Sequence, residues 1–226
     1  MMEIATSKEN LIRELGKLRD YSTTHVSTTV VAEGRFAYVW GVQMEQLKFL
    51  AETMAPTYQK HSMGLKLLDE NIFEVIQFGI LTIDWNQLDP GKTCEILCAL
   101  PFNKLINEAC EKIVSTVQPE KLRMLYQTLL LIARPGEGTE NCFLRFSYHY
   151  FERLAGSEGY LIYGELIDYI QDHFQGNTGN NQKIMLRLLR SFNKKHKSKK
   201  LEMVIQCVRA YSSNTKHFDK YLDSLL

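Results

Sequence analysis

Apolar residues recur at helical spacing through segment after segment of this chain, and proline or glycine interrupts the pattern between segments. After Pro119, for example, Leu122, Leu125 and Leu129 lie three and four residues apart. That spacing places side chains on one face of an α-helix. A chain built from such segments buries its apolar faces by packing helix against helix. We therefore predict an all-α fold, an irregular multi-helix bundle.

Capping residues and prolines predict where the individual helices lie. Capping patterns are expected at Thr6 with Glu9 and at Asn71 with Glu74, and Asp89-Pro90 is typical of a helix start. The helix that begins at Pro119 is apolar nearly all round, which predicts a central place in the core. Further helices are predicted over 36–54, 102–117, 140–155, 160–174, 182–192, 199–211 and 214–225.

Two segments depart from the helical pattern. Residues 21–33 are rich in Ser and Thr and contain valines, which predicts a loop-like or extended segment. Residues 134–139 contain Pro135, Gly136 and Gly138, the clearest internal loop. We predict a single helical domain over 1–226, with possible lobes 1–134 and 139–226 joined by the loop 134–139. No fixed-period repeat is found, so a regular solenoid is not indicated.

Charge is distributed unevenly along the chain. Residues 182–226 hold 11 Lys/Arg and 3 Asp/Glu, a net charge of +8, whereas residues 1–181 carry −7. Four of the cations, at helical spacing, fall within roughly 60° of one another around a helix axis: Lys183, Arg187, Arg190 and Lys194. Apolar residues cover the opposite side. Such a helix can dock on a core while presenting a row of positive charge.

A lysine-rich tract follows directly, and it includes Lys195, Lys197, Lys199 and Lys200. Rows of Lys and Arg bind nucleic-acid phosphates by counterion release. We therefore predict a non-enzymatic interaction or scaffold protein whose basic region 183–200 contacts RNA or DNA, nucleocapsid-like or nuclear adaptor-like. The alternatives are a matrix-like protein on anionic lipid, a pure protein–protein interaction subunit, a small enzyme, or a basic region that is simply a solvated surface. A protein partner or self-association is expected in addition.

The sequence offers little support for metal or cofactor chemistry. Cys94 and Cys98 lie four residues apart, but no second Cys or His pair completes a zinc site. The acidic residues of the 160–174 segment have no Glu-x-x-His partner set, and we expect them to be solvated or paired with the basic C-terminal part: Glu165, Asp168 and Asp172. No nucleophile elbow or phosphate loop is present. No catalytic residue, metal, cofactor or small-molecule substrate is predicted.

Aromatic residues alternate with arginines in the 140–155 segment. Phe143, Phe146 and Tyr150 share one helix face, which predicts core packing, whereas Arg145 and Tyr148 lie off that face. The five cysteines are scattered, the apolar runs are short, and no leader pattern precedes the first helix. We therefore expect an intracellular protein, cytoplasmic or nuclear, that is neither secreted nor transmembrane. Lys194, Lys195 and Lys197 also match the short pattern of a nuclear-import signal.

Overall fold

A computed structural model describes residues 7–22, 25–27, 37–53, 58–154, 157–177 and 179–212 of the chain. The described residues divide into two compact units, Met1–Lys121 and Leu122–Leu226. The division falls inside one helix, whereas the sequence placed a possible lobe boundary at the loop 134–139. That the units act as a single domain stays a prediction.

The all-α prediction is confirmed. Within the described ranges the helices are α1 Lys8–Gly16, α2 Met44–Thr53, α3 Tyr58–Leu67, α4 Phe73–Thr82, α5 Pro90–Ala99, α6 Asn103–Thr116, α7 Pro119–Ile132, α8 Gly138–Arg153, α9 Ser157–His173, α10 Gly179–Lys195 and α11 Lys199–Ser212. A 3-10 turn at Trp85–Gln87 and two short strands complete the described elements, β1 His25–Ser27 and β2 Ala37–Val39. No described helix is long and apolar enough to cross a membrane.

The N-terminal unit contains the largest departure from the predicted helices. The pattern over 36–54 predicted one helix, but β2 pairs antiparallel with β1, and α2 begins only at Met44. Gly41 adopts a left-handed backbone with φ of 76°, which ends any helical path through this point. Aromatic and β-branched residues around Tyr38 and Val39 favour extended backbone, and this preference overrides their helix-like spacing. The predicted loop-like or extended segment 21–33 therefore includes a strand.

Two predicted helix caps are also wrong. Ser7 caps α1, because its hydroxyl accepts from the backbone N–H of Asn10, and Thr6 lies outside the described residues. At α4 the cap residue is Ile72 and makes no side-chain bond. Glu74 is instead buried, and its two carboxylate oxygens accept from the backbone N–H groups of Trp40 and Gly41 at 2.9 and 2.7 Å. This carboxylate therefore ties α4 to the chain that leaves β2.

Helix α3, which the sequence patterns did not indicate, packs closely on α4. Its Gly64 faces Gly79 of α4 so tightly that a Cβ atom on Gly79 would lie 2.8 Å from the Gly64 carbonyl oxygen. A glycine at this crossing lets two helix backbones approach each other, and it also lowers the helix propensity of the segment. That loss of propensity explains why the sequence signal for α3 is weak.

Helix α5 agrees with its prediction, since Asp89 caps it and Pro90 opens it. Helix α7 does not agree with the expected central placement. Leu122, Leu125 and Leu129 are buried, but the Leu131 side chain is 83% exposed and that of Met124 is 54% exposed. The helix is therefore buried along one face only.

The C-terminal unit is a stack of helix pairs. Helix α8 packs against α10, and α9 packs against α11, so each helix contacts the helix two places along the chain. The N-terminal unit shows the same order in α2, α4 and α6. This packing order characterises helical-repeat stacks. The predicted helix over 214–225 lies outside the described residues.

Candidate nucleic-acid interface

Helix α10 divides into a charged face and a buried face. Lys183, Arg187, Arg190 and Lys194 are all exposed, and we refer to these four residues as the basic face. The side chains of Leu188, Leu189 and Phe192 are fully buried on the other side. The exposed row and the inward leucines confirm the predicted amphipathic helix, which extends further at both ends than the predicted range 182–192.

Aromatic packing fixes the rotation of α10 about its axis. The Phe192 ring makes edge contacts with the rings of Phe151 on α8 and Tyr163 on α9, at centroid distances of 4.6 and 5.1 Å. Burying an aromatic side chain from both neighbouring helices stabilises one orientation of α10. In that orientation the basic face points to solvent.

A buried carboxylate holds the N-terminal end of α10. Glu140, in the first turn of α8, is fully buried. One of its oxygens accepts from the Tyr169 hydroxyl and the Asn177 amide, at 2.8 and 2.7 Å. The other accepts from the Asn181 amide of α10 and the Gly136 backbone N–H, both at 2.8 Å. Four donors satisfy this buried charge, which joins three helices and the two loops that contain Gly136 and Asn177, and no described cation pairs with it.

The connection between α10 and α11 is also anchored. The Tyr163 hydroxyl donates to the His196 carbonyl at 2.8 Å and lies 2.9 Å from the Ser198 hydroxyl. The Ser198 hydroxyl accepts from the Leu201 backbone N–H, as an N-cap residue does. Lys197 and Lys199, both exposed, flank this capped serine. The tract therefore follows a fixed path from one helix to the next.

Two of the eight predicted anion-binding residues are neutralised within the C-terminal unit. Lys195 forms an ion pair with Glu152 at 3.0 Å, and its ammonium lies 5.1 Å from the centroid of the Phe151 ring. Lys200 forms an ion pair with Asp168. For the other six, the described residues supply no ion pair. Those six are Lys183, Arg187, Arg190, Lys194, Lys197 and Lys199.

The charge of the basic region shows in the titration of Glu152. Partial burial opposes ionisation of this carboxyl, but hydrogen bonds from Ser191 and Lys195, with the charges of Lys195 and Lys194, lower its pKa below the ordinary 4.5. The two hydrogen bonds and the nearby lysine charges together therefore outweigh desolvation.

Other sequence-predicted features have structural roles. Phe143, Phe146 and Tyr150 are buried as expected, whereas Arg145 is also buried and donates to Asn141 at 2.9 Å. The hydrogen bond with Cys98, together with burial, raises the pKa of the Cys94 thiol. Among the described residues, no three Cys, His or acidic side chains are grouped as metal ligands would be.

The acidic residues of α9 lie at the surface. Glu165, Asp168 and Asp172 are exposed, and the ion pair of Asp168 with Lys200 confirms the predicted pairing with the basic C-terminal part for that residue. Glu140 was not predicted from the sequence, where it resembles any acidic residue in a first helical turn. Only the folded chain distinguishes Glu140, because it brings the side-chain donors of Tyr169, Asn177 and Asn181 to its carboxylate.

Comparisons with known proteins agree with this packing. No family model and no curated protein sequence matches the chain. The chain is similar to a solved structure described as "A new family of proteins related to the HEAT-like repeat DNA glycosylases with affinity for branched DNA structures". The TM-score is 0.66 at 11% identity, over 90% of this chain and 83% of the other. The chain therefore shares the helical fold of that structure.

Proposed function

We propose that this chain is a non-enzymatic, intracellular helical scaffold that binds DNA through the basic face of α10, together with Lys197 and Lys199. The observation that carries the proposal is the row of four exposed cations on a helix whose rotation is fixed by buried aromatic rings. Such a row offers positive charge at fixed spacing, and none of its four members is in an ion pair with another described residue. The similar structure belongs to a family with affinity for branched DNA, which supports DNA over RNA as the ligand.

The dimensions of the basic face suit a nucleic-acid backbone. At 1.5 Å per residue, Lys183 and Lys194 lie about 16 Å apart along the axis, the length of roughly five base pairs of duplex DNA. Contacts of this kind position a protein on the backbone without reading sequence. We therefore expect affinity that depends on salt and on the shape of the DNA, and only weakly on base sequence.

The test is fluorescence-anisotropy titration of a four-way DNA junction, a DNA duplex and a single-stranded RNA at low salt. The variant Arg187→Gln/Arg190→Gln is compared with Arg123→Gln/Arg134→Gln, which removes the same charge from two exposed arginines outside α10. We expect the α10 variant to bind DNA at least tenfold more weakly, while the control variant binds within about twofold of the unmodified protein.

Equal losses in the two variants would show that only total charge matters, and the assignment to α10 would then be wrong. Tighter binding to acidic lipid vesicles than to DNA would favour the membrane-surface alternative. Absence of binding to any of these ligands would favour the protein-contact alternative, for which the exposed Leu131 and Met124 of α7 are the candidate surface.

A further inference from the structure

The N-terminal unit contains two neighbouring cavities of about 400 and 420 Å³. Lys60, Leu81 and Lys112 line both of them. The first, which we call the acid-lined cavity, adds Lys48 and three glutamates, Glu52, Glu108 and Glu111. The second, which we call the donor-lined cavity, adds His61, Asp84, Trp85, Gln87 and Thr116.

The acid-lined cavity carries most of the negative charge near the two shared lysines. Three glutamates line it, against one aspartate in the donor-lined cavity. Both oxygens of the half-buried Glu108 accept from the Gln77 amide, at 2.9 and 2.7 Å. Burial raises the pKa of Glu108, and the hydrogen bond from Gln77 opposes that rise. An anion therefore gains little by entering this side.

The donor-lined cavity has a different charge balance, because one carboxylate, Asp84, stands against two lysines. One oxygen of Asp84 accepts from the Asn86 backbone N–H at 3.1 Å, and the other accepts from the Gln87 amide at 2.9 Å. These bonds close the local 3-10 turn, where Asp84 is the N-cap residue. Both oxygens of Asp84 therefore already have hydrogen-bond partners within the chain, and the two lysines leave the lining with a net positive charge.

His61 lines this cavity and is almost fully buried. The side chain is 9% exposed, and its Nδ1 accepts from the Asp84 backbone N–H at 3.1 Å. A ring nitrogen that accepts in this way leaves the proton on the other nitrogen, Nε2. Within the described part of the chain, no acceptor is bonded to Nε2.

The two shared lysines supply positive charge. The Lys60 ammonium donates to the Ala51 carbonyl and has further N–H groups to offer. Burial and the nearby charge of Lys112 lower the pKa of Lys60, with Glu52 acting in the opposite direction. The Lys112 ammonium has no ion-pair partner among the residues that the structure describes. A negative ligand between the two amines would relieve their mutual repulsion.

We propose that the donor-lined cavity binds a phosphate group, held by the ammonium groups of Lys60 and Lys112 and by Nε2 of His61. A phosphate monoester carries a charge of about −1.5 to −2 and three acceptor oxygens, which matches two cations and a third donor better than a carboxylate does. The volume of about 420 Å³ also leaves room for the organic part of a phosphorylated molecule. The source is either a free phosphorylated compound or the terminal phosphate of a nucleic-acid strand. The proposal does not depend on the basic face of α10.

Isothermal titration calorimetry on the full chain tests the proposal, with inorganic phosphate and with a thymidine dinucleotide carrying either a 5′-phosphate or a 5′-hydroxyl. We expect both phosphates to bind and Lys112→Gln to weaken binding about tenfold or more, because a charge-assisted contact is lost. Lys112 is half-buried, so its replacement could disturb the fold. Circular dichroism is therefore the folding control, and the spectrum of the variant should match that of the unmodified protein.

Lys48→Gln is the matched control, since Lys48 lines only the acid-lined cavity. Its affinity for phosphate should stay within about twofold of the unmodified protein. If the 5′-phosphate dinucleotide binds more tightly than both inorganic phosphate and the 5′-hydroxyl dinucleotide, a strand end is the source. If inorganic phosphate binds more tightly than the 5′-phosphate dinucleotide, the source is a small phosphorylated compound. No heat of binding at millimolar phosphate would overturn the proposal, and so would an equal loss in the Lys48 and Lys112 variants.

Discussion

Replacement of Glu140 by glutamine tests how the C-terminal unit holds α10. Each carboxylate oxygen of Glu140 accepts from two donors, Tyr169 and Asn177 on one side, Gly136 and Asn181 on the other. Glutamine replaces one of these oxygens by an NH2 group. The two donors on that side then face another donor and lose their acceptor.

The expected cost follows from those contacts. A buried donor left without an acceptor costs about 1–3 kcal/mol. Two such donors would together cost about 2–6 kcal/mol. The Tyr169 hydroxyl can rotate toward another acceptor, which reduces this cost. We therefore expect Glu140→Gln to lower the local free energy of unfolding by about 2–4 kcal/mol.

Native-state hydrogen exchange followed by mass spectrometry is the appropriate assay, because both tryptophans, Trp40 and Trp85, lie in the N-terminal unit and their fluorescence does not report on α10. The control is Glu137→Gln, an exposed residue of the same segment whose side chain makes no capping bond, and it should change stability by at most about 0.5 kcal/mol. A loss below about 1 kcal/mol for Glu140→Gln, or equal losses for both variants, would refute the argument.

Two further predictions concern packing and pH. Gly79→Ala gains about 1 kcal/mol of helix propensity but places a Cβ atom 2.8 Å from the Gly64 carbonyl, so we expect a net loss of about 1–2 kcal/mol in urea unfolding followed by tryptophan fluorescence. Gly16→Ala, whose Cβ atom would meet only the Trp40 ring at 3.6 Å, should cause no loss, and a stabilised Gly79→Ala would contradict the close helix contact. The lowered pKa of Glu152 stabilises the folded state above pH 4.5, and this contribution is lost as the pH falls through the folded-state value. The difference in melting temperature between the unmodified protein and Glu152→Gln should therefore shrink between pH 6 and pH 3, and a constant difference would count against the ion pair with Lys195.

Helices with a clear apolar stripe could be predicted from the sequence, and α10 is the best example. The four cations of its basic face and its leucines lie at separate helical positions, so the exposed basic face followed from spacing alone. The segment around Val39 and Trp40 could not be predicted in the same way. Its apolar spacing fits a helix. The backbone is extended instead, because residues 37–39 pair with β1 and Gly41 has a left-handed conformation.

The candidate site was only partly predictable for a similar reason. Sequence spacing reveals neighbours on one helix, whereas contacts between helices depend on packing. The pairing of Lys195 with Glu152 and of Lys200 with Asp168 removes two of eight predicted cations, and both partners lie on other helices. The donors around Glu140 and the two lysines of the donor-lined cavity likewise come together only in the folded chain.

The salt dependence of DNA binding tests the central claim most directly. Six available cations predict a slope of log Kobs against log salt of about −5 for duplex DNA, at roughly 0.9 per phosphate contact. Replacement of the four residues of the basic face by glutamine should reduce that slope by about 3 to 4. An unchanged slope in this variant would show that α10 does not contact the phosphate backbone, and the proposed function would then be wrong.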